Sequence, residues 1–216
     1  MDSKLVRAGI VELLGTFCLV FIGAAAVASN QGVVVAALAH GLTLLWVIYS
    51  LGHISGAHVN PAVTAGLLVG RHINVIRAVV YWIAQFAGAI IAALVLRLLL
   101  GSGSALGETT GTLTASNLFG AALFEAILTF FLVTAVYQCA VFGKAGQFTG
   151  LAIGFTLAAS ILAGGTYTGA SLNPARTLGP ALIVGHLDYV IPYLIGIFAG
   201  GIVAGLVNQF VIRKTD

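Results

Sequence analysis

Six long apolar runs dominate this sequence, near residues 7–28, 34–53, 76–100, 117–142, 148–165 and 190–212. Each is close to the roughly 20 residues that an α-helix needs to cross a bilayer. Only 7% of the residues are charged, whereas a soluble domain carries about 25%. Lipid offers no partner to backbone polar groups, and the runs are continuous rather than alternating as barrel strands are. The sequence therefore predicts an all-α membrane protein with six transmembrane helices.

The second half of the chain repeats the first at an offset of 113 residues. Asn60-Pro61-Ala62 corresponds to Asn173-Pro174-Ala175, and 48 residues separate the asparagine from a preceding glutamate, Glu12 or Glu125, in both halves. Because each half holds three spans, the halves must have opposite orientations in the membrane. We expect one domain built as an inverted repeat. Its parts are a first repeat over 1–103, a connecting loop over 104–116 and a second repeat over 117–216.

Two further apolar segments, 61–69 and 174–184, are too short to span a bilayer. A proline begins each one, which suits the first position of a helix, and Asn60 and Asn173 then occupy the cap positions. Short segments at matching positions of inverted halves indicate a site near the bilayer midplane. One half-helix would enter from each face, so the positive ends of their dipoles would meet and oppose cations, including protons. The pattern predicts a passage for neutral molecules.

The segments His58-Val59-Asn60-Pro61-Ala62-Val63-Thr64 and Ser171-Leu172-Asn173-Pro174-Ala175-Arg176-Thr177 resemble the twin signature motifs of the aquaporins, or major intrinsic proteins. The likeness covers nearly the whole chain. It implies six spans with two re-entrant half-helices, a passive channel lined by both motifs in each subunit, and a homotetramer. The expected partners are water, small neutral solutes and the lipid bilayer. No cofactor, metal ion or nucleic acid is expected.

The resemblance also implies a second constriction, a selectivity filter formed by His40, Ile161, Ala170 and Arg176. Val63 is the residue of the first half that corresponds to Arg176 in the repeat. The arginine therefore breaks the symmetry of the halves with an always-charged group that opposes cations. The four residues are similar to the filter of tonoplast intrinsic proteins. That similarity implies passage of water and of ammonia, urea or hydrogen peroxide.

A glycerol-type facilitator of the same fold is the alternative function. Its pattern has an aspartate directly after the pore arginine, where this chain has Thr177. Leu194, near the start of the last span, is in contrast closer to the glycerol type than to the tryptophan of many water channels. The two residues point in opposite directions, so the solute range stays open at this stage.

Glu12 and Glu125 are the only carboxylates within the spans. Intramembrane acids often serve proton relays, and a secondary transporter would need such groups for its coupling ion. Their symmetric placement favours a structural role instead, as acceptors for the backbone of the re-entrant loops, with His58 bracing the first loop. The sequence contains no metalloprotease motif and no nucleophile-elbow motif, so nothing in it indicates an enzyme. Retention of Arg176 and both asparagines argues against a closed, purely structural junction protein.

Basic residues gather on one side of the six-span arrangement, in the following positions: Lys4, Arg7, Arg71, Arg77, Lys144, Arg213 and Lys214. By the positive-inside rule this side is cytoplasmic, so both termini are expected there. The sequence predicts a multi-pass protein of the cell membrane. Short tails and short loops favour a prokaryotic inner membrane.

Overall fold

A computed structural model describes residues 2–213; Lys214, one of the basic residues that orient the chain, lies outside this range. Six helices in it are long and apolar enough to cross a membrane, which confirms the all-α fold. The α-helices are α1 Ser3–Ala28, α2 Val33–Ser55, α3 Pro61–Val69, α4 Val75–Leu100, α5 Thr112–Ser116, α6 Leu118–Val136, α7 Thr149–Thr168, α8 Pro174–Val184 and α9 Val190–Val207. A π-helical turn ends α6 (Tyr137–Val141) and α9 (Asn208–Ile212), and a 3-10 turn (Gly146–Phe148) precedes α7.

Local capping explains where the spans begin and end. The first span starts earlier than residue 7 because the Asp2 side chain caps α1 by accepting a hydrogen bond from the Lys4 backbone N–H, at 3.1 Å. Helices α2 and α7 run past 53 and 165 to Gly56 and Gly169, which adopt left-handed conformations with φ of 93° and 81°. Glycine takes this conformation at little cost, so it ends a helix cleanly.

The two half-helices have the bounds that their sequences indicate. Helix α3 covers Pro61–Val69 and helix α8 covers Pro174–Val184, each with proline at its first position and asparagine as its cap. Pro180 lies inside α8, but the helix continues through it. Both half-helices are buried at their N-terminal turns, so these turns lie inside the bundle and not in lipid.

The connection over 104–116 is more ordered than the plain loop that the sequence suggests. It contains the short helix α5, and Leu106 and Thr109 within it are almost completely buried. Leu106 packs with Ala24 and Leu96 at the ends of α1 and α4. Its glycine, serine and threonine content is typical of a solvated loop, but Leu106 and Thr109 are buried against the bundle.

Small residues allow the long helices to pack closely. Helix α1 packs on α4, α2 on α7, and α6 on α9. A Cβ atom on Gly41 would lie 2.8 Å from the carbonyl oxygen of Gly154, and one on Gly154 would lie 2.7 Å from that of Gly41. These two glycines occupy equivalent positions in the two halves. Between α6 and α9, a Cβ atom on Gly200 would overlap the carbonyl oxygen of Ala126. Close backbone approach is how helices associate in lipid.

We expect Gly200→Ala to destabilise the protein by about 1–3 kcal/mol, because the added methyl group must push α6 and α9 apart. The measurement is the midpoint of thermal unfolding in detergent. Gly103→Ala is the matched control, since a Cβ atom there meets no atom within 4 Å. Equal midpoints for the two variants would contradict the close packing of these helices.

Candidate functional site

Each half-helix starts from an asparagine that caps its own first turn. The Asn60 side-chain oxygen accepts a hydrogen bond from the Ala62 N–H at 2.8 Å. The Asn173 oxygen accepts one from the Ala175 N–H at 3.0 Å and one from the Arg176 N–H at 3.4 Å. The backbone at both asparagines is extended. Capping fixes each side-chain amide group at the positive end of its helix dipole.

The two loops are tied to each other through the same side chains. The Asn60 amide donates to the carbonyl oxygen of Leu172 at 2.8 Å, and the Asn173 amide donates to that of Val59 at 2.9 Å. The half-helices therefore meet with their N-terminal ends adjacent. An amide group has two N–H donors, and one on each asparagine is used in this exchange. The second donor of each is left for a molecule in the cavity that both residues line.

Buried glutamates hold the loops from behind. Both Glu12 carboxylate oxygens accept hydrogen bonds from the first loop, namely from the backbone N–H of His58 at 2.9 Å and of Val59 at 2.6 Å. Ser55 and Gln85 add side-chain donors at 2.7 and 2.8 Å. All of these groups are removed from solvent. The carboxylate thus satisfies backbone groups that no helix or lipid could satisfy.

Glu125 performs the same task in the second half. It accepts from the backbone N–H of Ser171 at 3.0 Å and of Leu172 at 2.8 Å, and from the Thr168 hydroxyl at 2.7 Å. The donors occupy positions equivalent to those around Glu12. The difference is Gln85, whose counterpart in the repeat is Phe198. Glu125 therefore has one donor fewer.

Both re-entrant loops contain residues with strained backbone. Ala57 and Val59 in the first loop, and Ala170 and Leu172 in the second, have positive φ values of 48°, 42°, 44° and 54°. Non-glycine residues in this region cost about 1–3 kcal/mol each. Val59 and Leu172 donate their backbone N–H groups directly to the glutamates. The N–H groups of Ala57 and Ala170 donate to the Ser55 and Thr168 hydroxyls, which bind the same glutamates. The hydrogen bonds to the carboxylates offset part of this strain.

A network behind the first loop was not apparent from the sequence. Gln85 on α4 bonds to the Thr64 hydroxyl at 3.0 Å as well as to Glu12, and Thr64 lies 3.1 Å from the His58 Nδ1 atom. The His58 ring also meets the Tyr81 ring edge to face, with centroids 5.0 Å apart. The signal for Gln85 was available as a lone polar residue within an apolar run, but nothing in the spacing named its partners.

The structure brings two of the four expected filter residues into direct contact. The Arg176 Nε–H donates to the His40 Nε2 atom at 3.1 Å, and His40 Nδ1 lies 2.8 Å from the Ala36 carbonyl oxygen. The carbonyl can only accept, so Nδ1 carries the proton and Nε2 offers its lone pair to the arginine. His40 is thus a neutral imidazole that orients Arg176. The Arg176 side chain is buried, and its Nη1 atom has no partner in the described part of the chain.

The other two expected filter residues form the apolar side. Ile161 and Ala170 are buried and belong to the same apolar cluster, together with Leu172 and Ala36. Ile161 lines the second of the two cavities described next, whereas Ala170 lines neither of them. The structure thus places His40 and Arg176 at one cavity and Ile161 at the other.

Two cavities lie on either side of this region. The first, of about 370 Å³, extends from His40 and Arg176 past Asn60 and Asn173 to His72, just after α3. The second, of about 220 Å³, is lined by residues that include Ala36, Ile161 and Glu108. We name them the inner and the outer cavity after the orientation that the sequence predicts. Across residues 2–213 no group of three or more His, Cys, Asp and Glu side chains could hold a metal ion.

Comparison with known proteins gives consistent results. Residues 1–208 match the sequence profile of the family described as Major intrinsic protein. A probable aquaporin TIP3-2 of Arabidopsis thaliana is 41% identical, covering 96% of this chain and 84% of that protein. An aquaporin TIP1-2 of Zea mays is 38% identical, covering 95% and 85%. The structure is similar to that of the aquaglyceroporin from Plasmodium falciparum, with a TM-score of 0.82, 28% identity, and coverage of 96% and 97%.

We expect Glu12→Gln to lower stability by roughly 1–3 kcal/mol or more and to abolish most water flux, because an amide N–H would then face the N–H donors of the loop. Thermal unfolding in detergent and osmotic shrinkage of proteoliposomes measure the two effects. Asp188→Asn removes a carboxylate with 83% side-chain exposure and serves as the control. Full water flux in the Glu12 variant would show that the loop holds its shape without the carboxylate.

Proposed function

We propose a solute range and a filter for this chain. The chain belongs to the major intrinsic protein family. It is a multi-pass membrane protein that forms a passive water channel. Its spans and cavities serve transport and not catalysis. The proposal is that the channel passes ammonia, urea and hydrogen peroxide besides water, and that it excludes ions and protons. His40, Ile161, Ala170 and Arg176 form its selectivity filter, and Asn60-Pro61-Ala62 with Asn173-Pro174-Ala175 form its central constriction.

The single observation that carries the proposal is the hydrogen bond from Arg176 to His40. It turns the guanidinium toward the imidazole and fixes both on one side of the passage. In the proposed filter the facing side is formed by Ile161 and Ala170, which belong to one buried apolar cluster. Such a two-faced opening binds a small solute by a few polar contacts without enclosing it. Ammonia and urea, which donate and accept hydrogen bonds, suit this arrangement.

Exclusion of ions follows from charge. The guanidinium of Arg176 is buried, and an electrostatic barrier is strongest where water is scarce. Farther in, the N-terminal ends of α3 and α8 add two partial positive charges. The free amide donors of Asn60 and Asn173 hold the oxygen of a passing water, and this orientation interrupts a chain of proton transfer.

The glycerol-type facilitator is the second candidate. The one structural observation that supports it is the likeness to an aquaglyceroporin. The relatives named TIP aquaporins favour the water channel instead. Thr177, at the position where the glycerol pattern has aspartate, donates to the Ser171 hydroxyl at 2.6 Å and is fully buried. It is thus committed to holding the second loop.

Assembly and orientation are part of the proposal. We propose a homotetramer, and we propose that both termini lie in the cytoplasm, because basic residues lie at the ends of α1, α3 and α6 on that side. Large apolar side chains such as Leu14, Leu42 and Phe155 are exposed on the single chain and would face lipid or neighbouring subunits. The expectation of a prokaryotic inner membrane rests on short tails and loops alone, and the plant origin of the named relatives does not support it.

Parallel flux measurements test the solute range. Water, glycerol, urea and ammonia are followed in the same batch of proteoliposomes, with and without a proton or sodium gradient. The proposal requires fast water and ammonia flux, slow glycerol flux and no dependence on either gradient. Glycerol flux that matches water flux would establish the facilitator, and gradient-driven accumulation would establish a transporter.

We expect Arg176→Val to raise the leak of urea and of small cations while water flux stays within about a few fold. The substitution removes the permanent positive charge that opposes cations, and it widens the opening. Stopped-flow light scattering and ion-sensitive dyes measure the two quantities. Arg7→Val, on an exposed part of α1, is the control. Unchanged selectivity would remove Arg176 from the filter.

We expect His40→Phe to reduce ammonia flux, because the larger ring narrows the opening and offers Arg176 no lone pair. Gly23 leaves no spare room, since a single Cβ atom there would overlap the His40 ring. The readout is the ratio of ammonia flux to water flux. A ratio equal to that of the unmodified protein would show that His40 does not line the filter.

A further inference from the structure

The connection between the two halves places a carboxylate at the outer cavity. Leu106 anchors the segment in the apolar cluster at the outer ends of α1 and α4. The Thr109 hydroxyl donates to that of Thr177 on α8 at 3.4 Å. Glu108, between these two anchors, has a side chain that is only 8% exposed. Its position is therefore set by the fold and not by a mobile loop.

Hydrogen bonds occupy one oxygen of Glu108 and leave the other open. Oε1 lies 3.1 Å from the His186 Nδ1 atom and accepts from the Tyr189 hydroxyl at 3.3 Å. No donor within residues 2–213 contacts Oε2. Glu108 lines the outer cavity beside Asn30 and Thr110, and it is the only carboxylate lining either of the two cavities.

The groups around Glu108 determine how readily its carboxylate accepts a proton. His186 contacts Glu108 through one ring nitrogen and lies 3.5 Å from Asp188 through the other, and within residues 2–213 these are the only acid–base contacts. Tyr189 and, at longer range, the Arg176 guanidinium also face the carboxylate. Burial raises the pKa of Glu108 above its ordinary value, although His186, Tyr189 and Arg176 oppose the change. The carboxylate is thus a stronger base than a solvated one.

We propose that Glu108 is the recruitment site for ammonium at the outer entrance, where its free Oε2 accepts a hydrogen bond from the cation before the neutral molecule enters the filter. This inference rests on the proposed passage of ammonia. A carboxylate attracts the cation, and the nearby Arg176 prevents it from going farther while it is charged. The site therefore concentrates ammonium at the place where only ammonia can proceed.

The proton balance of this step is simple. One N–H bond of ammonium breaks and an O–H bond forms at Glu108 Oε2, so ammonia and a neutral carboxyl group result. Ammonia moves past His40 and Arg176. The carboxyl group then returns its proton to water on the outer side, and the carboxylate is restored. No net proton crosses the membrane.

The test compares Glu108→Gln with the unmodified channel at mildly acidic pH, where ammonium greatly exceeds ammonia. We expect ammonia flux to fall about fivefold, as for the loss of one charge-assisted hydrogen bond at a partly solvated site, and water flux to be unchanged. Asp188→Asn is the matched control, because Asp188 contacts His186 but lies outside the cavity.

A second variant separates recruitment from simple support of the segment. His186→Gln keeps a side-chain donor for Oε1 and keeps the carboxylate, so it should retain most ammonia flux. A loss in His186→Gln as large as in Glu108→Gln would overturn the proposal, since the loss would then follow from loosening the segment. An equal ratio of ammonia to water flux in Glu108→Gln and the unmodified channel would overturn it as well.

A binding readout keeps this inference distinct from the proposed function. Water flux is compared with ammonium chloride or sodium chloride outside at equal osmolality. Ammonium held in the outer cavity should slow water in the unmodified channel and not in Glu108→Gln. If the unmodified channel passes no ammonia, the proposed solute range fails, but this comparison still decides whether the site exists. Equal water flux in both salts would exclude it.

Discussion

Two buried carboxylates make the rest of the structure possible, because each satisfies backbone N–H groups in the middle of the bilayer. A chain that enters lipid and turns back leaves polar groups without helical partners, and each unsatisfied group costs several kcal/mol. Glu12 binds the N–H groups of His58 and Val59, and Glu125 binds those of Ser171 and Leu172. These bonds also offset the strain of four residues with positive φ. We propose that the intramembrane acids support the two loops, which is the role that the sequence predicts for them.

Once the loops are fixed, the positions of the polar groups in the passage follow. Each asparagine caps its own half-helix and donates across to the opposite loop, so the two half-helices are locked tip to tip. The same second loop presents Arg176 to His40. Asn60, Asn173, His40 and Arg176 are thus all held by hydrogen bonds beside the cavity that they line. Rigid donors that replace only part of an ion's hydration shell favour neutral solutes.

The sequence predicts much of this because the repeat carries its own check. The short apolar segments 61–69 and 174–184 predicted the two half-helices, and the structure has them with the same bounds. The equal spacing of Glu12 and Glu125 from Asn60 and Asn173 led to the prediction that the acids support the loops. Other features depend on tertiary packing that no spacing reports. Gln85 on α4 binds Glu12 in the first half alone, and Glu108 lines the outer cavity within a connection whose Leu106 packs into the bundle. Likewise the Arg176–His40 bond joins residues 136 positions apart.

The central claim is that opposed half-helices held by buried glutamates form a wet passage closed to charge. The most direct measurement records osmotic water flux and proton flux in the same vesicles, with protein-free vesicles as reference. The account predicts rapid water flux that depends weakly on temperature, with proton flux no higher than in the reference. Proton flux that rises in proportion to water flux would contradict it, since the passage would then conduct along an uninterrupted chain of water.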